Sequence, residues 1–396
     1  MQNKNFFYLS VILLIAAFAA VPQSLAQIPC GPTITPAPTL FVNWPQFLHD
    51  SAHGGCNPYE TALSTQTVGN LTTRWTYHTA AAFSSSPAIV NGMFYIGSYT
   101  HNIYAIDART GVLRWAYGTG DQVKSSPAVV DGVLYVGSID HNFYALDASS
   151  GTLLWKYALP REVDSSPAVV NGIVYFGCWD NYVYALDAHT GALIWKTEVA
   201  GPVPSSPAVV NGLVYIGSDG GYVFALNAST GAIVWTYATG NAVTASPAVA
   251  NGMVYVGSQD GYAYALDAGT GALRWTYSAG FRITASPAVA NGTVYIISAD
   301  GSVFALNAFI GAPLWSLVNT GASQASPTVA NGVLYFCGTS TVYALDARTG
   351  ATLWGYETPD YFWSSPVVTN GMVYVATVSG DFFPTGTIYA FGLAKD

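Results

Sequence analysis

Charge is scarce in this chain. Only 8% of its 396 residues are Asp, Glu, Lys or Arg, so Ser, Thr, Asn, Gln and Tyr must cover most of the solvent face. Cysteine is scarce too, four in all, with no two adjacent. Beyond the first 26 residues no apolar run is long enough to span a bilayer. Helical periodicity is missing from the body of the chain. No glycine-rich phosphate loop stands between a strand and a helix, and no Ser/His/Asp or Cys/His spacing suggests a nucleophilic triad. What charge exists is acidic. Without the leader the chain has 11 basic against 21 acidic residues, a net charge of −10. That argues against nucleic acid and anionic membrane surfaces as partners.

What the chain has is repetition. Ser-Pro, then Asn-Gly, then Tyr-Ala-Leu-Asp-Ala-x-Thr-Gly, then Trp recur at a step of 40 residues, 39 at the last. The prolines are Pro87, Pro127, Pro167, Pro207, Pro247, Pro287, Pro327 and Pro366; the tryptophans are Trp75, Trp115, Trp155, Trp195, Trp235, Trp275, Trp315 and Trp354. Within one unit, Ser125–Val130, Val133–Gly137, Phe143–Ala148 and Thr152–Tyr157 read as four antiparallel strands separated by turn residues. A proline in every first strand puts that strand at a sheet edge lining a central channel. Tryptophan then falls in the opposite edge strand, where the indole can pack on the next unit and its N–H can find a backbone acceptor.

Seven units run from Ser-Pro to Trp, and the eighth stops at Ile388-Tyr389-Ala390-Phe391 without its last strand. The missing strand is present at the other end, as Leu71–Tyr77 around Trp75. The expected fold is therefore all-β: a single eight-bladed propeller of four-stranded antiparallel blades over residues 70–396. The N-terminal strand completes the C-terminal blade and closes the ring. The closed ring is expected to be a monomer.

Seven segments share Ala-x-Asp/Asn-x-x-x-Gly-x-x-x-Trp. They are Ala105/Asp107/Gly111/Trp115, Ala145/Asp147/Gly151/Trp155, Ala185/Asp187/Gly191/Trp195, Ala225/Asn227/Gly231/Trp235, Ala265/Asp267/Gly271/Trp275, Ala305/Asn307/Gly311/Trp315 and Ala344/Asp346/Gly350/Trp354. This pattern resembles the tryptophan-docking motif of the pyrroloquinoline-quinone (PQQ) repeat superfamily. The resemblance implies the same propeller. It implies either an eight-bladed quinoprotein dehydrogenase or a non-catalytic propeller, such as the lipoprotein of the bacterial outer-membrane β-barrel assembly machinery. The dehydrogenase would need PQQ, calcium, a catalytic Asp, a stacking aromatic and usually two adjacent cysteines, and this chain has no such cysteine pair.

Residues 1–26 resemble a secretory signal peptide: Lys4, the apolar run Phe6 to Val21, then Ser24-Leu25-Ala26 before a cleavage at Gln27. An uncleaved anchor helix is the alternative. Secretion or a periplasmic location follows. Residues 27–69 form a lead-in whose 28–39 portion is proline-rich, and Cys30 lacks the flanking residues of a lipid-anchor box. Cys30 and Cys56 are candidates for a disulfide in an oxidising compartment. Cys178 and Cys337 fall in blades on opposite sides of the ring and read as buried packing residues. His49, His53 and Cys56 have a spacing that zinc can use, but in a loop-like stretch a structural role is favoured.

Function in a repeat protein sits where the units differ. The connectors before each Ser-Pro, and the turns between second and third strands on the same face, should ring one mouth of the channel, and their symmetry is broken by Lys124, Arg161, Glu162, Asp164, Trp179, Arg282, Tyr361 and Trp363. An insertion in the eighth unit brings Asp381-Phe382-Phe383-Pro384 toward Tyr361-Phe362-Trp363. An aromatic wall beside a charged arc suits a flat, anionic or sugar-like ligand, or a protein or glycan partner. Ordinary variation of solvated loop tips explains the same residues.

Overall fold

The computed structural model describes residues 42–80, 82–318, 320–379 and 385–394. The leader, Cys30 and the Asp381–Pro384 insertion lie outside these. Eight sheets stand around one axis, and all but the eighth run from an inner to an outer strand in chain order. Blade 1 is Ala88–Val90, Met93–Gly97, Asn102–Asp107 and Leu113–Gly118, and the other blades repeat it. The hairpins form because the two-residue Asn-Gly turns take left-handed φ values, 52° and 77° at Asn91-Gly92, which match the twist of the flanking strands. Blade 8 is closed as expected. Leu71–Thr79 pairs antiparallel with Gly386–Leu393, setting Trp75 opposite Ala390 and Thr76 opposite Tyr389. The one helical turn among the described residues is the 3-10 turn Val68–Asn70 just ahead of that strand.

The prolines depart from the reading of the sequence. Each inner strand begins after the proline, as at Ala88–Val90 and Ala128–Val130, so proline precedes the ladder and breaks none of its hydrogen bonds. The serine before it has its own task. The Ser86 N–H donates to Ser126 Oγ at 2.9 Å, Ser126 to Ser166, and so on through Ser206, Ser246, Ser286 and Ser326 to Ser365, whose N–H returns to Ser86 Oγ at 3.0 Å. Eight buried bonds thus close a hoop around the channel.

Between blades, one alanine carbonyl takes two donors from the preceding blade. Ala148 O accepts Trp115 Nε1–H and the Tyr95 hydroxyl, both at 3.0 Å. The motif glycine lies flat on the indole of the same neighbour: a Cβ on Gly191 would sit 2.7 Å from the Trp155 ring, and its φ is +72°. Side chains larger than hydrogen do not fit there.

The lead-in is the main surprise. Residues 44–57 make one lap around the inner edges in blade order. Trp44 O accepts the Ile89 N–H (2.8 Å), Pro45 O that of Val129 (2.7 Å), Gln46 Oε1 that of Val169 (3.1 Å) and Ser51 O that of Val209 (2.6 Å). Ala52, Gly54 and Gly55 carbonyls take Val249, Val289 and Val329 at 2.8–2.9 Å, and Asn57 Nδ2 reaches Val368 O in blade 8 (2.8 Å). The inner edges that the proline pattern placed along an open channel are thus covered by a strap, which supplies the acceptors an edge strand otherwise lacks. Trp44, Leu48 and His53 of the strap are 1–2% exposed.

His53 makes the strap sensitive to acid. Burial pushes its pKa down to about 4, against the opposing pull of Asp50 and of the Pro247 carbonyl. The unfolded chain takes up this proton near pH 6.5 while the folded chain refuses it until about pH 4. Stability is therefore expected to fall by about 3 kcal/mol as pH drops through that window and to level off below it. Asn tolerates the left-handed φ of 55° at this position, so His53→Asn should flatten this part of the pH–denaturation profile. An unchanged profile in that variant would remove His53 as the cause.

Candidate functional site

On the face opposite the Asn-Gly turns, the turn between the second and third strands of blades 1 to 6 is tied to the incoming connector. The Ile139 N–H donates to Gln122 O (2.9 Å), Trp179 to Glu162 O (3.2 Å) and Ala299 to Arg282 O (2.8 Å). These ties hold the connectors in a ring around the channel mouth. Alternate connector residues turn inward under the blades, as Val123 and Val163 do, packing where the glycines of the second strands leave room.

The residues singled out in the sequence fall into two sectors. In blades 2 and 3, Trp179 Nε1–H donates to Asp164 Oδ2 at 3.0 Å, while Asp164 Oδ1 is buried with no partner among the described residues. Burial raises the pKa of Asp164, opposed by Lys124 and by the Trp179 bond. Glu162 lies 3.2 Å from Arg161 and 3.8 Å from His141, and the Arg161 hydrogen bond holds its carboxyl below the usual range. Cys178 beneath them is free and buried, its thiol pushed up to about 12 by burial, which makes it inert rather than nucleophilic.

The second sector spans blades 5 to 8. A cavity of 310 Å³ is lined by Gln259, Arg282, Thr284, Gln324, Tyr361 and Trp363, among others. Tyr361 and Trp363 are 51% and 41% exposed, and Arg282 has no carboxylate within ion-pair distance among the described residues. The connector here is itself a strand. Tyr361–Phe362 pairs with Thr377–Val378 because the second strand of blade 8, Met372–Val378, has seven residues where its siblings have five or six. Phe281 is the member that sequence reading missed: it is 47% exposed with the Arg282 guanidinium 5.7 Å from its ring. Its signal was present, since the equivalent positions carry Asp121, Arg161 and Asn241. The two sectors meet through Tyr99, which lies 6.3 Å from the Trp363 ring and 5.9 Å from Lys124 Nζ.

A quinone-calcium site does not fit these groups. Calcium takes six to eight oxygens, whereas most of the described carboxylates of the mouth are engaged locally. Asp121 faces His101 at 3.5 Å, Asp140 and Asp180 accept Tyr144 and Tyr184 hydroxyls at 2.6 Å, and Glu162 holds Arg161. The two buried carboxylate oxygens without a partner among the described residues, on Asp164 and Asp219, belong to different blades. Among the described residues no three His, Cys, Asp or Glu side chains converge as metal ligands, and the reading of His49, His53 and Cys56 as a zinc site is set aside because Cys56 is disulfide-bonded.

No helix among the described residues is long and apolar enough to cross a membrane. No curated protein sequence matches the chain. Among solved structures, a europium-containing methanol dehydrogenase superposes with a TM-score of 0.79 at 15% identity, covering 89% of this chain and 98% of the other. BamB from Moraxella catarrhalis gives 0.68 at 20%, covering 81% and 99%. The computationally designed Ika8 protein gives 0.67 at 20%, covering 79% and 97%. An enzyme, an assembly factor and a designed chain sharing one fold shows that the fold does not choose among functions. The family profile described as outer membrane protein assembly factor BamB matches residues 66–206, 179–326 and 300–392, most of the chain; with the eight closed blades and the repeated tryptophan contacts, this protein belongs to that PQQ-like repeat family.

Proposed function

We propose that the protein is an exported, non-catalytic propeller whose channel mouth holds a protein partner. The observation that carries this reading is the rim of blades 6 to 8, where Arg282, without an acidic partner among the described residues, stands beside exposed Phe281, Tyr361 and Trp363. Arginine and aromatic residues are the side chains most often found at the energetic centre of protein interfaces. The family description, an outer membrane assembly factor, supports a protein as the partner. Export rests on the apolar leader ending in Ser24-Leu25-Ala26, which lies outside the described residues. The local engagement of Asp121, Asp140, Asp180 and Glu162 weighs against the alternative, a PQQ- and calcium-dependent dehydrogenase acting on an alcohol or sugar.

Photo-crosslinking groups placed at Tyr361 and Trp363 in the source cell are expected to give a discrete protein adduct. Trp363→Ala should weaken capture of that partner at least tenfold, about 1.4 kcal/mol or more. Adducts that form only from positions on the outer strands would refute the rim as the binding surface. Stoichiometric retention of PQQ with calcium, together with dye reduction by an alcohol or aldose, would refute the non-catalytic reading.

A further inference from the structure

Closing the ring removes the seam of a propeller but leaves the outermost strand of every blade with outward N–H and C=O groups. Natural sheets guard such edges with charges, lysine above all, or with proline. Seven of the eight outer strands here carry a guard: Arg74, Arg114, Lys156, Lys196, Arg274, Pro313 and Glu357 in their respective blades. The outer strand of blade 4, Ile233–Ala238, reads Ile-Val-Trp-Thr-Tyr-Ala and carries none. Five of those six residues are β-branched or aromatic, and the segment lacks charge, proline and glycine, the composition of a strand that recruits another. Its surroundings are equally bare, since no Asp, Glu, Lys, Arg or His occurs from Gly220 to Gln259. Ile233 and Val234 are 46% and 49% exposed, while Trp235 is turned inward at 8%.

Backbone donors and acceptors at β spacing are complemented by another extended backbone. We infer that two copies of this chain pair through Ile233–Ala238 as antiparallel strands, joining their fourth blades into one eight-stranded sheet across a two-fold axis. The edge is its own complement, because antiparallel pairing of identical strands satisfies both rows at once. No like charges meet across it. The same pairing at Leu153–Ala158 or Leu193–Glu198 would bring Lys156 or Lys196 of the two copies together. One unguarded edge per chain also sets the size of the assembly: pairing consumes it, and growth stops at two copies instead of continuing to a fibre. The monomer expected from the repeats followed from ring closure, and closure does not reach this edge.

Sedimentation velocity of the full exported chain, from micromolar to several hundred micromolar, tests the pairing. The mass is expected to rise from one copy to two, with slowed amide exchange at residues 233–238 in the dimer. Thr236→Lys places a guard on the exposed face and should abolish the dimer at every concentration without changing the melting temperature. Thr276→Lys, the same position in the already guarded strand of blade 5, should leave the dimer intact. If Thr236→Lys itself lowers the melting temperature, Val234→Lys replaces it. A wild-type chain that stays monomeric throughout overturns the inference. So does a dimer that both lysine variants of blade 4 retain, or one that Thr276→Lys abolishes equally.

Discussion

Deleting the lead-in through Asn57 is expected to lower the free energy of unfolding by at least about 5 kcal/mol, since each lost backbone bond is worth about 1 kcal/mol and the burial of Trp44 and Leu48 is lost as well. Seven inner-strand amides, from Ile89 to Val329, lose their acceptors in that truncation. The blades would keep their own ladders and their tryptophan contacts, so the expected product is a destabilised ring and not an unfolded chain. The denaturant midpoint reports the loss. Amide exchange locates it, because protection should drop at Val129, Val209 and Val289 while the third strands stay protected. Gly55→Ala offers a gentler version. Its new Cβ would stand 2.8 Å from the Ala288 Cβ at a φ of +62°, lifting the strap locally from blade 6. A truncated chain with an unchanged midpoint would mean that the strap rests on the ring without supporting it.

Trp235→Ala is the second large effect, expected to cost about 3–5 kcal/mol as a buried aromatic truncation. The indole is 8% exposed, donates to Ala268 O at 2.9 Å and has Gly271 against its face. Trp235→Phe keeps most of the bulk and removes the N–H, so a loss of about 1 kcal/mol isolates the hydrogen bond. Gly271→Ala attacks the contact from the other side, with a Cβ 2.7 Å from the ring at a φ of +72°. Strain of about 1–3 kcal/mol is expected. At the seam the joint is looser. Trp354 donates to Leu71 O at 3.2 Å, and the Tyr335 hydroxyl has no partner among the described residues, because the two chain ends replace the usual Ala-x-x-Gly turn. Trp354→Ala should therefore cost less than Trp235→Ala. Equal losses in chemical denaturation would show that the seam is as strong as the other junctions.

Some of these features could be read directly from the residues. A hydrophobic unit repeated every 40 residues cannot bury a core alone, and a fourth strand displaced to the N-terminus has one partner that removes a free edge. Those two facts led to eight blades and to Trp75 beside the C-terminal strand. The connectors before each Ser-Pro could be placed at the mouth because strand alternation and turn length dictate which loops share a face. Other features were out of reach. The division of the mouth into a blade 2–3 sector around Asp164 and Trp179 and a blade 5–8 cavity around Arg282 depends on which loop side chains meet in space, 15 residues apart for Asp164 and Trp179 and blades apart for Arg282 and Tyr361. The lap of the strap was hidden for a different reason. Its carbonyls pair with amides of six blades irrespective of side chain, only Gln46 and Asn57 using side-chain groups for the other two, and backbone pairing of an irregular segment leaves no periodic trace.

What the sequence by itself determined is the repeated unit, its number and its closure, since those depend on local turn chemistry and on the period of apolar residues. Only the tertiary structure decided which polar groups are satisfied and which stand free, because that depends on long-range proximity. It engaged most carboxylates of the mouth, left Arg282 without an acidic partner among the described residues, and covered the inner edges with a strap while the outer edge of blade 4 stayed bare.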